Sequence, residues 1–385
     1  MKENLILTIE GWKPLSKCKK GEKVFDGKGN LTTISSIRTK ESNIYKITYD
    51  DHSISLIDEN TKIDFYRYDV ISQKRLRDKE GHLLEKRDII SDNVDYSMTA
   101  KEIIDILKSK TTIRNKRLRI KNVSIKGLKT KLLVPPYILG IMLGDGTISK
   151  TTKTPTFTCN TSKMKGDPDI AMFLEKYCKS IGDYLTPIRK GKWKKTMDFR
   201  INGMHLKELL QKIGVYGHDS TDKYIPVNYL LADRESRLQL IRGLMDTDGF
   251  ITLRKKQGRD TGYNYGFEVV SKLLADGLDF LLHSLGYANT KGYKAENFYI
   301  KNGMKFPGKP VFRNVPRVPS EVSLFNCKRK KDREIKYKEK HTKLKTVDKT
   351  IKKIDRLGKG KYYYVSLSNG CNSYIGSNWT KINCK

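Results

Sequence analysis

Residues 138–146 read ILGIMLGDG and residues 241–249 read IRGLMDTDG. Each stretch predicts an apolar helix that ends on an acidic residue followed by glycine. A carboxylate there faces the negative end of the helix dipole, which costs about 0.3–1 kcal/mol unless a cation sits nearby. Two such costs placed alike predict a shared cation. Gly140 and Gly144 are spaced like Gly243 and Thr247, so each helix presents a stripe of small residues on one face. Such stripes let two backbones approach closely, although these runs are far too short to span a bilayer. Facing stripes would bring Asp145 and Asp248 side by side. Adjacent carboxylates repel unless a divalent cation neutralises them.

These residues resemble the LAGLIDADG homing endonucleases of the single-chain, two-motif type. Arg237, Leu240 and Arg242 precede the second motif as they do in that family. Leu143, where the motif has its first acid, and Arg242, at a usually small position, depart from the pattern. The resemblance implies that Asp145 and Asp248 bind divalent metal, Mg2+ by preference, between the two scissile phosphates of double-stranded DNA. It implies a double-strand break with short 3′ overhangs at a long, rare site. It also assigns a supporting role to the lysine of Lys223-Tyr224-Ile225-Pro226. For the second half the candidates are Arg317 and Lys305.

Composition points the same way independently. The formal charge is +34 over 385 residues and the isoelectric point is about 9.7, which indicates a polyanionic partner. Binding through phosphates would weaken steeply with salt. A membrane partner is not expected, because no long apolar run and no signal peptide is visible. The six cysteines, Cys18, Cys159, Cys178, Cys327, Cys371 and Cys384, are scattered without metal-ligand spacing. Neither a zinc site nor a disulfide framework is expected, and an intracellular setting is: cytoplasmic or nucleoid-associated, nuclear in a eukaryote. One chain with two motifs predicts a monomer with internal pseudo-twofold symmetry.

The chain reads as five segments. Residues 1–71 alternate as short strands with turns. Residues 72–133 read as a basic linker or DNA-recognition insert, with a helix at MTAKEIIDILKS capped by Ser97 or Thr99 and a stretch, IRNKRLRIKN, too basic for a core. Residues 134–327 repeat a helix-strand-strand pattern in two halves, 134–222 and 223–327, the first helix opened by Pro135 and Pro136. Residues 328–349 are a charge-dense run without apolar periodicity, read as a basic linker. Residues 350–385 return to strands.

Alternation in the basic strands of the repeats puts Lys192, Lys194, Arg200, Arg254, Lys256, Lys294 and Lys301 on a candidate DNA surface, with Trp193, Tyr263 and Tyr265 among them. The expected fold class is α+β: a repeat pair of αββαββα type inserted in an all-β domain.

That outer domain carries a second resemblance, to the Hint fold of inteins. NLILTIEGWKPL resembles an intein's first block, Tyr363 to Ile375 its penultimate block and Ile382-Asn383-Cys384 its last. Asn383 and Cys384 match the cyclising Asn and the downstream nucleophile. The remaining splicing residues do not match. Met1-Lys2-Glu3-Asn4 offers no initiating Cys or Ser, Asp64 stands where the block ending in T-x-x-H has its histidine, and Ile382 replaces the penultimate His. A DNA endonuclease with a splicing-degenerate shell is therefore expected. The alternatives are a self-splicing intein with endonuclease activity and a non-cleaving nucleic-acid binder or RNA maturase.

Overall fold

A computed structural model describes residues 4–70, 76–77, 83–84, 89–108, 116–160, 166–190, 196–301, 303–340 and 348–384. The fold is mixed α and β, with more strand than helix, and the chain divides into two compact units. One is Met1–Ile125 together with Val347–Lys385; the other is Lys126–Thr346. Among the described residues no helix is long and apolar enough to cross a membrane.

The first unit is built around an antiparallel sheet whose two longest strands, Leu31–Tyr49 and Lys349–Leu367, pair from Tyr49 opposite Ile351 to Ile34 opposite Leu367. Sequence-distant ends are thereby joined in one core of Ile6, Val24, Ile34, Ile47, Ile57, Ile63, Val365 and Ile382. Two strands of the segment read as a linker or DNA-recognition insert belong to this sheet. Strand Ile89–Thr99 pairs with Lys62–Val70, and Lys116–Ile120 pairs with both Lys62–Val70 and Lys349–Leu367. The basic stretch, too basic for a core by composition, still enters one, because Leu118 and Ile120 are buried there and Arg119 is buried between them. Helix Ala100–Lys108 opens on a capping box, in which Thr99 and Glu102 satisfy each other's backbone N–H groups.

In the second unit two helices, Pro136–Gly144 and Arg234–Thr247, pack at the centre of one apolar core. The first starts on Pro135 and Pro136; the second is capped by Asp233, whose side chain accepts the Ser236 N–H at 3.0 Å. After each helix comes a four-stranded antiparallel sheet. The first runs Gly146–Thr147, Thr156–Asn160, Thr196–Asn202, Tyr184–Lys190 across, and the second Gly249–Lys256, Arg259–Val269, Val311–Arg317, Ala288–Lys294. Both therefore have the order first, second, fourth, third. A helix lies between the second and third strands of each, Pro168–Ser180 and Lys272–Ser284, and a third helix follows the last strand, His205–Lys212 and Lys328–Lys340. The second half adds a separate two-stranded ribbon, Asn297–Lys301 with Met304–Gly308.

The small-residue stripes are where the two central helices meet. A Cβ on Gly140 would lie 2.6 Å from the Leu240 carbonyl oxygen and 2.9 Å from the Gly243 Cα; one on Gly243 would lie 2.4 Å from the Tyr137 carbonyl oxygen. Only glycine permits that approach.

The run at 328–349, expected to be a linker, carries the helix Lys328–Lys340 within this unit. Its inward side is polar, which is why no apolar period announced it. Cys327, Lys330 and Glu334 are buried at helical spacing. Glu334 is held by the Tyr265 hydroxyl, the Ser323 hydroxyl and Lys338.

Candidate active site

Asp145 and Asp248 occupy the position after the last residue of each central helix, with their N–H groups donating to Ile141 and Leu244, both at 3.1 Å. Packing at the glycines brings the two helix ends together: a Cβ on Gly144 would lie 2.0 Å from Thr247 Oγ1 and 3.3 Å from Asp248 Oδ2. Burial pushes the Asp248 carboxyl up to about 7, the Asp145 charge pushes the same way, and Lys223 and Lys330 oppose both. Asp145 is also raised, by burial first, with Lys330 and Lys223 opposing. Among the described residues neither carboxylate has a hydrogen-bond or ion-pair partner. Such a pair of half-buried, mutually repelling carboxylates with free oxygens suits a divalent oxygen-seeking cation.

Lys223 is 6% exposed. Its Nζ donates to the carbonyls of Gly146 at 2.7 Å, Gly144 at 3.0 Å and Met142 at 3.4 Å. Burial lowers its amine to about 8, against the pull of Asp248 and Asp145. It thus closes the end of the first central helix.

The second helix has a matching cation, and it is neither Arg317 nor Lys305. Arg317 sits in the sheet opposite Ala288, and Lys305 lies on the ribbon with its amine 3.7 Å over the Phe298 ring. The matching residue is Lys330, also 6% exposed. Its Nζ donates to the carbonyls of Asp246 at 2.5 Å, Gly249 at 2.7 Å, Met245 at 3.1 Å and Thr247 at 3.3 Å. Burial lowers its amine too. Three carbonyls correspond: Met142, Gly144 and Gly146 around Lys223 match Met245, Thr247 and Gly249 around Lys330, while the Asp246 carbonyl has no counterpart at Leu143. A lysine inside a run of lysines gave no sequence signal of its own.

Asp246, at the motif's first acidic position, has a separate task. Its Oδ2 accepts the Tyr137 hydroxyl at 2.7 Å and the N–H groups of Cys327 at 3.0 Å and Asn326 at 3.1 Å. Burial raises its carboxyl to about 6 despite these bonds. The first helix has Leu143 at this position, buried in the core. Arg242, the other departure, reaches outward to the Ser323 carbonyl at 3.1 Å and Glu235 at 3.3 Å. A cavity of about 270 Å3 opens beside Asp145 and is lined also by Asp167, Asp246, Arg329, Lys330 and Arg333.

The basic candidates divide. Arg200, Arg254, Lys256 and Lys294 are exposed on their strands. Lys192, Lys194 and Trp193 lie outside the described residues, as does the side chain of Lys301. Tyr263 and Tyr265, expected on that surface, are buried instead. Their strand turns this face toward the core, where Tyr265 packs 5.9 Å from Phe325, ring centre to ring centre.

In the first unit Asp64 accepts from Lys381 Nζ at 2.5 Å and from Asn383 Nδ2 at 3.1 Å. Burial would raise this carboxyl, but those bonds outweigh it and hold it below its ordinary value. Ile382 packs in the core. The Cys384 N–H donates to Asn372 at 2.6 Å, and burial pushes the Cys384 thiol up to about 12.

No family model matches the chain. The replicative DNA helicase DnaB of Mycobacterium intracellulare is 30% identical over 204 residues, 52% of this chain and 28% of that protein. The chain thus spans little more than a quarter of that relative. Among solved structures, mesophilic variants of the homing endonuclease I-DmoI align over 54% of this chain and 93% of theirs, at TM-score 0.30 and 14% identity. The homing endonuclease I-WcaI bound to its DNA recognition sequence aligns over 48% and 76%, at TM-score 0.27 and 13% identity. The gp41-1 intein aligns over 25% and 76%, at TM-score 0.14 and 17% identity.

Proposed function

We propose that the chain is a site-specific double-strand DNA endonuclease, acting as a monomer whose two halves are related by pseudo-twofold symmetry. The observation that carries this reading is the pair Asp145 and Asp248: two mutually repelling carboxylates without a bonded partner among the described residues, one at the end of each closely packed helix, with one buried ammonium beside each. Asp145 and Asp248 would hold divalent cations, Mg2+ in the cell, which supply Lewis-acid charge at a scissile phosphodiester. Lys223 and Lys330 supply fixed positive charge. Lys223, lowered only to about 8, keeps its proton at neutral pH and so offsets developing charge rather than accepting a proton. The exposed Arg200, Arg254, Lys256 and Lys294 would bind DNA, chiefly through phosphates.

In this reading residues 134–340 form the nuclease and the sheet unit is an intein-like shell. The Asp64 ion pair with Lys381 argues for lost splicing there, because Asp64 engages a cation instead of offering an imidazole.

Cleavage of a randomised duplex library in Mg2+ tests the assignment, comparing the chain with Asp145→Asn and Asp248→Asn. Double-strand cutting that both substitutions abolish is expected. Cutting that survives both would remove the carboxylate pair from the mechanism, and binding without cutting in any divalent metal would favour a non-cleaving binder.

A further inference from the structure

We propose that Asp167 and Ser271 are a matched pair of positioning residues, each seating the buried lysine that closes the central helix of the opposite half. The two occupy equivalent places. Each immediately precedes the helix between the second and third strands of its sheet, Asp167 before Pro168–Ser180 and Ser271 before Lys272–Ser284.

Asp167 stands where an Asp ordinarily caps its own helix, yet it makes no side-chain cap bond there. Both its oxygens face the helix that carries Lys330. They take Arg329 through Nε at 2.7 Å and Nη2 at 2.6 Å, and Oδ1 also accepts from the Cys327 thiol at 3.0 Å. Bidentate pairing of this kind fixes orientation as well as distance. Asp169 adds a bond from the Lys328 N–H at 2.6 Å, so two acids of the first half hold the start of a helix that serves the second. Lys330 follows Arg329 directly, and its reach to the Asp246 and Gly249 carbonyls depends on where that first turn is pinned.

Ser271 does the corresponding work for Lys223 with one hydroxyl. Its Oγ accepts the Leu274 N–H at 3.1 Å and donates to the Lys223 carbonyl at 2.6 Å. Lys223, whose amine closes the first-half helix, is thereby held through its backbone by the second half. Each half thus places the cation at the end of the other's central helix, which would keep the two strand cuts in step.

The catalytic side of this inference rests on the endonuclease reading; the seating itself does not, and a labelling experiment separates them. Brief exposure of the full chain, in chelator and without DNA, to an amine-reactive reagent is followed by mass spectrometry of the Lys330 and Lys223 peptides. Asp167→Asn is expected to raise Lys330 labelling roughly tenfold, from the loss of charge-assisted bonds, with Lys223 unchanged; Ser271→Ala is expected to do the reverse. If Asp167→Asn does not fold, Arg329→Gln breaks the same pair from its more exposed side. Labelling of both lysines alike in each variant, or of neither, would overturn the seating.

On an end-labelled duplex in single turnover, the two variants should slow opposite strands and accumulate opposite nicks, with the half-saturating DNA concentration unchanged. The swap Asp167→Arg with Arg329→Asp should restore the slowed strand. Equal slowing of both strands by each variant would overturn the cross-half assignment. A wild-type chain that labels as expected but never cuts would retire the endonuclease reading alone.

Discussion

Lys223→Met separates a structural cation from a chemical one. The side chains are similar in length, so the change deletes the ammonium and little volume. Its amine falls from 10.5 to about 8 in the folded chain, and one pKa unit corresponds to about 1.4 kcal/mol, so the folded state bears about 3 kcal/mol of strain for carrying that charge at neutral pH. Methionine relieves it. Against this stand the carbonyls of Met142, Gly144 and Gly146, which lose a donor at about 1–3 kcal/mol apiece.

The carbonyl loss equals or exceeds the relief, so urea or thermal unfolding at pH 7 in chelator should show a net loss of about 0–6 kcal/mol. Cleavage should nonetheless fall by about 10²–10³, the usual effect of removing one preorganised charge from a reacting phosphate. The pH dependence gives a second readout. Between about 8 and 10.5 the unfolded chain holds the Lys223 proton and the folded chain does not, so wild-type stability should rise with pH across that window and Lys223→Met should lack this rise. A variant that loses several kcal/mol of stability while cutting at the wild-type rate would show that Lys223 is only a helix cap.

Asp248→Asn in chelator should stabilise the chain at neutral pH. The Asp248 carboxyl, raised to about 7, retains its proton while the unfolded one has lost it, so wild-type stability should decline as pH rises from about 4 to 7. The asparagine variant should lose the Asp248 share of this decline and keep that of Asp246 and Asp145, and an unchanged slope would mean that burial and the Asp145 charge do not raise Asp248. Gly243→Ala places a methyl group against the backbone of the other helix, 2.4 Å from the Tyr137 carbonyl oxygen. It should cost about 3 kcal/mol or more, at the upper end of overpacking effects; denaturation within 1 kcal/mol of wild type would contradict the backbone contact.

What the sequence made legible followed local rules. Gly140, Gly243 and the two terminal acids could be read because helical spacing alone puts small residues on one face and carboxylates at one end. Lys223 came only through the family resemblance of Lys223-Tyr224-Ile225-Pro226, because no local rule marks a lysine before an Ile-Pro turn. Lys330 was hidden for a physical reason: its helix buries Lys330 and Glu334, so the inward face looks like the outward one in hydropathy. Tyr263 and Tyr265 were misplaced because alternation gives two faces and does not say which is inside; the helix at Lys328–Lys340, itself unread, decides that by covering them. Lys116–Ile120 failed in the opposite direction, its three basic residues concealing Leu118 and Ile120.

The helix-end acids carry one further step. From the sequence, a single cation was expected both to answer the dipole of each helix and to neutralise the pair of acids. Those are separate tasks. The unpaired carbonyls that embody the dipole are taken by the Lys223 and Lys330 ammoniums. Among the described residues the carboxylates have no bonded partner, and the lysine charges reach them only through space. With both carboxylates ionised, the two ammoniums and two carboxylates sum to zero, so in the endonuclease reading an arriving phosphodiester would bring a net negative charge that these four groups do not cancel. A divalent ion is the addition that makes the balance favourable, and it is the carboxylates, not the helix ends, that would keep it there.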